Sequence, residues 1–441
     1  MSAGRVDAVV IGGGIAGLVV ARDLGKAGAS VILLEAASRL GGEVKRHTVA
    51  GIDLDAGAES FATRDETVAK LATEIGLGSE IVLPDPRGAW VVEADGHAFQ
   101  LPKTGLLGIP GTAMSKDVID VIGTAGAFRA EMDSLLPGPI GAKEQKLGPL
   151  VRRRMGRKVL DKLVTPVAMG VHSAHPDDLD VDRVAPGLRK ALLHENSLAR
   201  AVTSLREKGA AGSAVAGIRG GVVRLVDELA ADLETYGVDV RLDSPALSYD
   251  ATSVTVVGGE RLETAHVVVA LGGGDAARLD GAEAQTGLIT LATLVVRDPA
   301  LDSAPRGTGV LVAPGATGIH AKALTHASIK WAWLAERAEG RHILRLSYNS
   351  PVVDRGVSDA ELLRLAAGDA STLLGMPVTP GQVEGFARVE WAAPFQGAGS
   401  CGRTGVDGVT RVGGSVAGRG LAGVVAGARA AAADILSPSQ P

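Results

Sequence analysis

Gly12-x-Gly14-x-x-Gly17 sits between a short apolar run, Val6 to Ile11, and a segment, Ile15 to Lys26, in which Leu18, Val19, Ala21 and Leu24 recur at helical spacing. Ser30 to Glu35 is a second run of the buried-strand type, so the start of the chain predicts a β-α-β unit with the glycines at its turn. Each glycine then has a task. The first permits a tight turn, the second lets backbone approach a pyrophosphate, and the third lets helix and strand pack closely. The helix start offers unpaired N–H groups and a positive dipole end to phosphates. Glu35 closes the second strand, where a carboxylate accepts from ribose hydroxyls and disfavours a 2′-phosphate. Ala8 to Ala21 behind Arg5 superficially resembles a secretory signal core, but Asp7 and the glycine triplet make that reading poor.

The remaining chemistry is mostly one of exclusions. Glycine fills 60 of 441 positions, about twice its usual ~7% share, which implies close backbone approaches. With 5 Phe, 4 Trp and 3 Tyr and a net charge of −5, neither a base-stacking platform nor an electrostatic case for nucleic acid exists. A single cysteine, Cys401, rules out an intrachain disulfide and a cysteine-cluster metal site. No uninterrupted apolar run reaches the length of a membrane span, and a cytoplasmic location is expected. There is no Gly-x-Ser-x-Gly elbow, no phosphate loop and no His-Glu-x-x-His. His172 and His175 read as turn residues rather than ligands, so no metal is expected and no catalytic side chain is assigned.

Beyond the opening unit the texture changes. From Pro84 to Ser213, Pro-Gly punctuation alternates with charged amphipathic segments such as Ser115 to Leu135, which read as a helix-rich insertion. The α/β pattern returns at Gly217 to Leu271, with a helix over Val222 to Tyr236 and strands over Val238 to Leu242, Val254 to Val257 and Val267 to Leu271. Leu288 to Val296, Val310 to Val312 and Ile343 to Tyr348 read as strands of another sheet, and Val409 to Leu436 as strand, glycine cluster and helix. These textures predict a mixed α/β and α+β fold. A Rossmann-like nucleotide-binding domain would be assembled from 1–83, 213–285 and 397–441. An interleaved substrate-binding domain, 84–212 and 286–396, would combine a mixed sheet with the helical insertion.

Glu35-Ala36-x-x-Arg39-x-Gly41-Gly42-Glu43 extends the fingerprint, and with it the chain resembles the FAD-binding amine oxidase and desaturase superfamily. Taken alone, Arg39 could be a surface charge after a strand; the resemblance implies that it lies near the FAD phosphates and ribose. Asp53-x-Asp55-Ala56-Gly57-Ala58-Glu59-Ser60, otherwise a polar turn, is similar to the superfamily's segment under the isoalloxazine. Arg219-Gly220-Gly221-Val222 and the strand at Val240 resemble the segments beside the adenine. Val412-Gly413-Gly414-Ser415, Gly420-Leu421 and the following helix resemble the flavin-side motif. The resemblance thus implies FAD bound by Gly12, Gly13, Gly14, Ile15, Ala16, Gly17, Glu35, Ala36, Arg39, Gly41, Gly42, Glu43, Gly57, Ala58, Glu59, Ser60, Val240, Gly413, Gly414, Ser415, Gly420 and Leu421.

Many superfamily members carry an aspartate in the last motif, whereas Gly-x-Ser here is similar to protoporphyrinogen and coproporphyrinogen oxidases. Ser60-Phe61-Ala62-Thr63-Arg64, Leu101-Pro102-x-x-Gly105-Leu106-x-Gly108 and Lys322-Ala323-Leu324-Thr325 agree in order. Trp391-x-x-Pro394-Phe395-Gln396 departs from the family pattern. The resemblance implies oxidation of a porphyrinogen in heme biosynthesis, with hydride passing to FAD, dioxygen reoxidising it and hydrogen peroxide released. Thr104 to Gly108 lacks the arginine of animal and plant relatives, which favours the bacterial coproporphyrinogen III branch over protoporphyrinogen IX. Arg64, Lys103, Lys322, His326 and Lys330 are candidates for the substrate's carboxylates. The basic run Arg152-Arg153-Arg154, Arg157, Lys158 reads as a solvated face, or else as a contact for anionic lipid or a downstream heme-pathway enzyme. The alternatives are a superfamily amine oxidase or carotenoid desaturase and, in another class, a flavin-free binding protein on the same fold.

Overall fold

The computed structural model describes residues 5–63, 66–103, 105–172, 174–208, 215–281, 286–394, 408–417 and 420–437. The chain forms two compact units, each assembled from separate stretches: Met1–Leu83, Val215–Leu288 and Trp391–Pro441 in one, Pro84–Ala214 and Ile289–Glu390 in the other.

In the first unit the strand Val6–Ile11 lies between Val31–Leu34 and Arg261–Val269, parallel to both. Asp239–Arg241 extends the sheet beyond Val31–Leu34, and Val409–Arg411 pairs in parallel with the end of Arg261–Val269. Both faces of the central strand are covered, which explains its unbroken apolar run. Ala8 and Val10 pack toward the helices Ile15–Lys26, Thr67–Glu74, Arg224–Thr235 and Leu421–Leu436. Val9 and Ile11 pack toward Val254, Leu262 and Val267. Arg22 is buried among those helices, its Nε 2.5 Å from Asp232 and its Nη1 3.1 Å from Asp23, while Glu74 takes both nitrogens of Arg429. Arg22 also reaches Glu74 at 3.5 Å, so one ionic cluster, buried at Arg22 and exposed at Glu74, links the four helices.

The second unit holds a seven-stranded mixed sheet in the order Val383–Pro394, Thr286–Val296, His342–Asn349, Ala323–His326, Gly309–Val312, Ala89–Val92, Ala98–Gln100. One face is sealed by the helix Asp359–Leu374, started by a Ser358–Glu361 capping box, through Leu362, Ala366, Ala370 and Leu373. A separate core gathers the helical segments between Lys116 and Lys208.

Two expectations change here. The helix expected over Ser115 to Leu135 is regular only in parts. Gly123 sits at φ 72°, ψ 160°, the Lys158 ammonium takes the Ile122 carbonyl at 3.2 Å, and Met132–Leu135 continues as a 3-10 turn. In the basic run Arg152, Arg153, Arg157 and Lys158 are exposed, as a solvated face requires, and Arg154 is the exception. Arg154 is fully buried, bonded to Asp133 and to the carbonyls of Pro137, Ile140 and Asn196. Arg152 pairs with Asp177 and Arg153 with Glu144. The Arg154 charge is held inside the protein because Asp133 and three carbonyls fold back onto it.

Candidate functional site

At the glycine turn the backbone does what the spacing implies. Gly12 has φ 108°, a conformation L side chains rarely adopt, and its N–H donates to the Leu34 carbonyl at 2.7 Å. A β-carbon on Gly17 would lie 1.9 Å from the Gly12 carbonyl oxygen, so helix and strand touch through bare backbone. Gly14 is different: it caps the helix in an extended conformation, and a β-carbon there would meet no atom within 4 Å. The first-turn N–H groups of Ile15, Ala16 and Gly17 have no intrahelical carbonyl to bond. Such donors at a helix start, next to a glycine whose β-carbon position is open, are the geometry a pyrophosphate requires.

Glu35 is half-buried at the end of its strand. Its Oε2 accepts from the Gly13 N–H at 2.7 Å and its Oε1 from the Ala37 N–H at 2.8 Å, which orients both oxygens beside the turn. Ala36 and Arg39 are exposed on the following loop. Gly41 donates to the Gly13 carbonyl at 2.8 Å, and Gly42, at φ 58°, would bring a β-carbon within 3.3 Å of the Gly14 Cα. The two glycine pairs thus press together. Val240 pairs with Leu33 on the neighbouring strand. From the far end of the chain, Gly413, at φ 99°, comes beside Ala16, where a β-carbon on it would make an ordinary 3.6 Å contact with the alanine methyl. Gly414 begins a short helix to Ala417, and Gly420 precedes Leu421–Leu436, which brings a second helix start to this unit. The Ser415 backbone lies in that short helix.

Gly57 is needed for contact: a β-carbon would be 2.6 Å from the Glu43 carbonyl and 3.2 Å from the Trp391 ring. Ala58 is exposed, and Glu59 and Ser60 half-buried. Lys45 places its ammonium 4.6 Å from the centre of the Trp391 ring. Burial, with the charge of Arg39, holds that lysine below its ordinary range. Sequence reasoning missed this pair because its members are far apart in the chain. It also missed the task of Asp55, whose carboxylate accepts from the Val222 and Val223 N–H groups at 2.9 Å and so fixes the start of the helix after Gly220-Gly221.

The substrate candidates stand in different surroundings. Arg64 lies outside the described residues. Lys103 is exposed, its backbone N–H 3.3 Å from Asp117. Lys322 is half-buried at a strand start, and the Lys330 ammonium rests 5.0 Å from the centre of the Trp331 ring. His326 is withdrawn as a substrate-binding cation. It is fully buried, its Nε2 3.0 Å from His342 Nδ1, and His342 in turn meets Asp302 at 3.1 Å. Burial and the neighbouring His342 push the His326 pKa down to about 3, so the ring is neutral at physiological pH. Among the described residues no acidic, histidine or thiol cluster could hold a metal, and no helix is long and apolar enough to cross a membrane.

Residues 15–435 match the family model described as flavin containing amine oxidoreductase. The chain is 29% identical over 406 residues to the coproporphyrinogen III oxidase of Mycobacterium tuberculosis, covering 88% of this chain and 87% of that one. It is 26% identical to the protein of that name from Propionibacterium freudenreichii, over 85% and 78% of the two chains. A solved protein from Exiguobacterium sp. 255-15 shares the fold, with a TM-score of 0.79, 24% identity and 99% of both chains covered.

Proposed function

Because the chain belongs to the flavin containing amine oxidoreductase family, we propose that it oxidises coproporphyrinogen III to coproporphyrin III, a step of heme biosynthesis, with dioxygen as final acceptor and hydrogen peroxide as by-product. The protein is an FAD-dependent oxidoreductase. The observation that carries the proposal into this chain is the open cradle at Gly14, with Glu35 oriented beside it, in a sequence similar over 88% of its length to a coproporphyrinogen III oxidase.

Gly12 to Gly17 would hold the pyrophosphate, Glu35 the ribose hydroxyls, and Gly41-Gly42 with Gly413-Gly414 the approach to the ring system. FAD, when bound, supplies the hydride acceptor, and the hard chemistry belongs to it. The protein's own work is to bind, orient and exclude water, so no nucleophile or metal cluster is required. Lys45 places its ammonium over Trp391 two residues beyond Glu43 on the cradle loop. A downstream enzyme that receives the photoreactive product is the natural macromolecular partner.

The test is porphyrin fluorescence from flavin-loaded protein given coproporphyrinogen III and protoporphyrinogen IX side by side. The expected result is rapid growth of coproporphyrin emission and a slower response to protoporphyrinogen. Reversed preference would replace the proposal with protoporphyrinogen oxidation. Silence on both substrates would remove the porphyrinogen reading altogether.

A further inference from the structure

The sheet of the second unit has two unlike faces. One is sealed: Leu294, Val310, Leu324, Leu344, Leu346 and Tyr348 pack with the helix Asp359–Leu374. On the other, strand register places Gly309, Thr325, Arg345 and Thr293 in one row across four strands, and Leu311, Ala323, Ser347 and Leu291 in the next. The second row and Thr325 are only half-buried, so this face is left partly open. Its side chains are mostly small, and neither row contains an acidic residue. At the Leu311 end this face packs against the helical core, where a β-carbon on Gly170 would lie 2.6 Å from the leucine, which leaves Thr325, Ala323, Ser347 and Leu291 as a half-buried floor beside the buried Arg345.

Arg345 is 8% exposed and Thr293 1%. They are direct cross-strand neighbours. The Thr293 hydroxyl, buried on this face, has no hydrogen-bond partner among the described residues. A buried hydroxyl without a partner costs free energy, which a ligand atom beside it would recover. A guanidinium has five donors in a fixed fork matched to a carboxylate, so a contact made within the protein leaves donors to offer. We propose that Arg345 and the Thr293 hydroxyl form a carboxylate-binding pair for the substrate, with the small-residue floor lying under its apolar macrocycle. This rests on the porphyrinogen reading above and names a recognition pair absent from the sequence-derived candidates.

The experiment measures binding of coproporphyrin III and of its tetramethyl ester, by Soret shift, to flavin-loaded wild type, Arg345→Met, Arg345→Lys and Thr293→Val, alongside steady-state kinetics. For Arg345→Met the expected result is about tenfold weaker binding of the free acid and a KM raised by a similar factor, with kcat within about twofold. Binding of the ester should not change. Arg345→Lys should recover part of the loss, and Thr293→Val should show a smaller loss of the same kind. If Arg345→Met does not fold, the lysine and valine variants decide through the same acid-to-ester comparison. Unchanged affinity for the acid, or equal losses for acid and ester, would overturn the pair while leaving the porphyrinogen reading intact. Wild-type protein that neither binds coproporphyrin III nor oxidises its porphyrinogen would overturn both.

Discussion

Gly14→Val protein will be folded, soluble and colourless. The substitution is tolerated by the polypeptide because a β-carbon at Gly14 meets nothing within 4 Å and the backbone there is already extended. As an N-cap exchange it is expected to cost the apoprotein only about 1 kcal/mol. That space adjoins the first-turn N–H groups of Ile15 to Gly17, since Gly14 caps their helix. An isopropyl group there excludes a pyrophosphate and shields those donors, so FAD affinity should fall by at least about a hundredfold, roughly the effect of deleting several charge-assisted hydrogen bonds. Bound FAD itself stabilises the fold by mass action, so the comparison must set apoprotein against apoprotein. The checks are the flavin absorbance retained after gel filtration and a urea melt of the stripped proteins. A yellow valine variant would contradict the cradle assignment.

Gly17→Ala fails differently, by losing the fold. Its β-carbon would be 1.9 Å from the Gly12 carbonyl oxygen, a backbone atom that cannot swing aside, and 3.3 Å from the Ala270 methyl. Relief would need the helix Ile15–Lys26 to back away from the strand Val6–Ile11, opening a core in which Leu18, Val10 and Ala21 are completely or almost completely buried. A loss of about 3 kcal/mol or more is expected, at the upper end for a single added methyl. It should appear equally in the apoprotein and the FAD-loaded form. Two glycines three residues apart thus separate the roles of the motif: one substitution removes the ligand and spares the protein, the other destabilises the protein whether or not ligand is present. If Gly17→Ala melts like wild type, the close packing at that turn is wrong.

The opening unit was legible because its signals are local. Val6–Ile11 and Ile15–Lys26 coincide with the spans that periodicity and glycine spacing imply, since each is decided by residues within one or two turns of one another. The meeting of Gly41-Gly42 with Gly13 and Gly14, and of Gly413 with Ala16, was legible only through family resemblance. No local rule states which distant glycines will touch. What stayed hidden depends on tertiary contacts between residues far apart in the chain. Arg154 reads as one charge of five in a basic stretch, and becomes a buried latch only because Asp133, Pro137, Ile140 and Asn196 fold around it. His326 reads as a cation beside Lys322 and Lys330, yet strand alternation turns it toward His342 and away from water. Arg345 drew no attention in sequence because an arginine in an apolar strand says nothing until the register shows Thr293 and Thr325 on either side.

The most direct measurement of the central claim is anaerobic mixing of the flavin-loaded protein with coproporphyrinogen III, followed by flavin absorbance. The account predicts prompt bleaching of the oxidised flavin band as the first two electrons leave the substrate, then return of the band and formation of porphyrin when air is admitted, since the six-electron oxidation needs three flavin cycles. A flavin that stays oxidised in the presence of this substrate would contradict it.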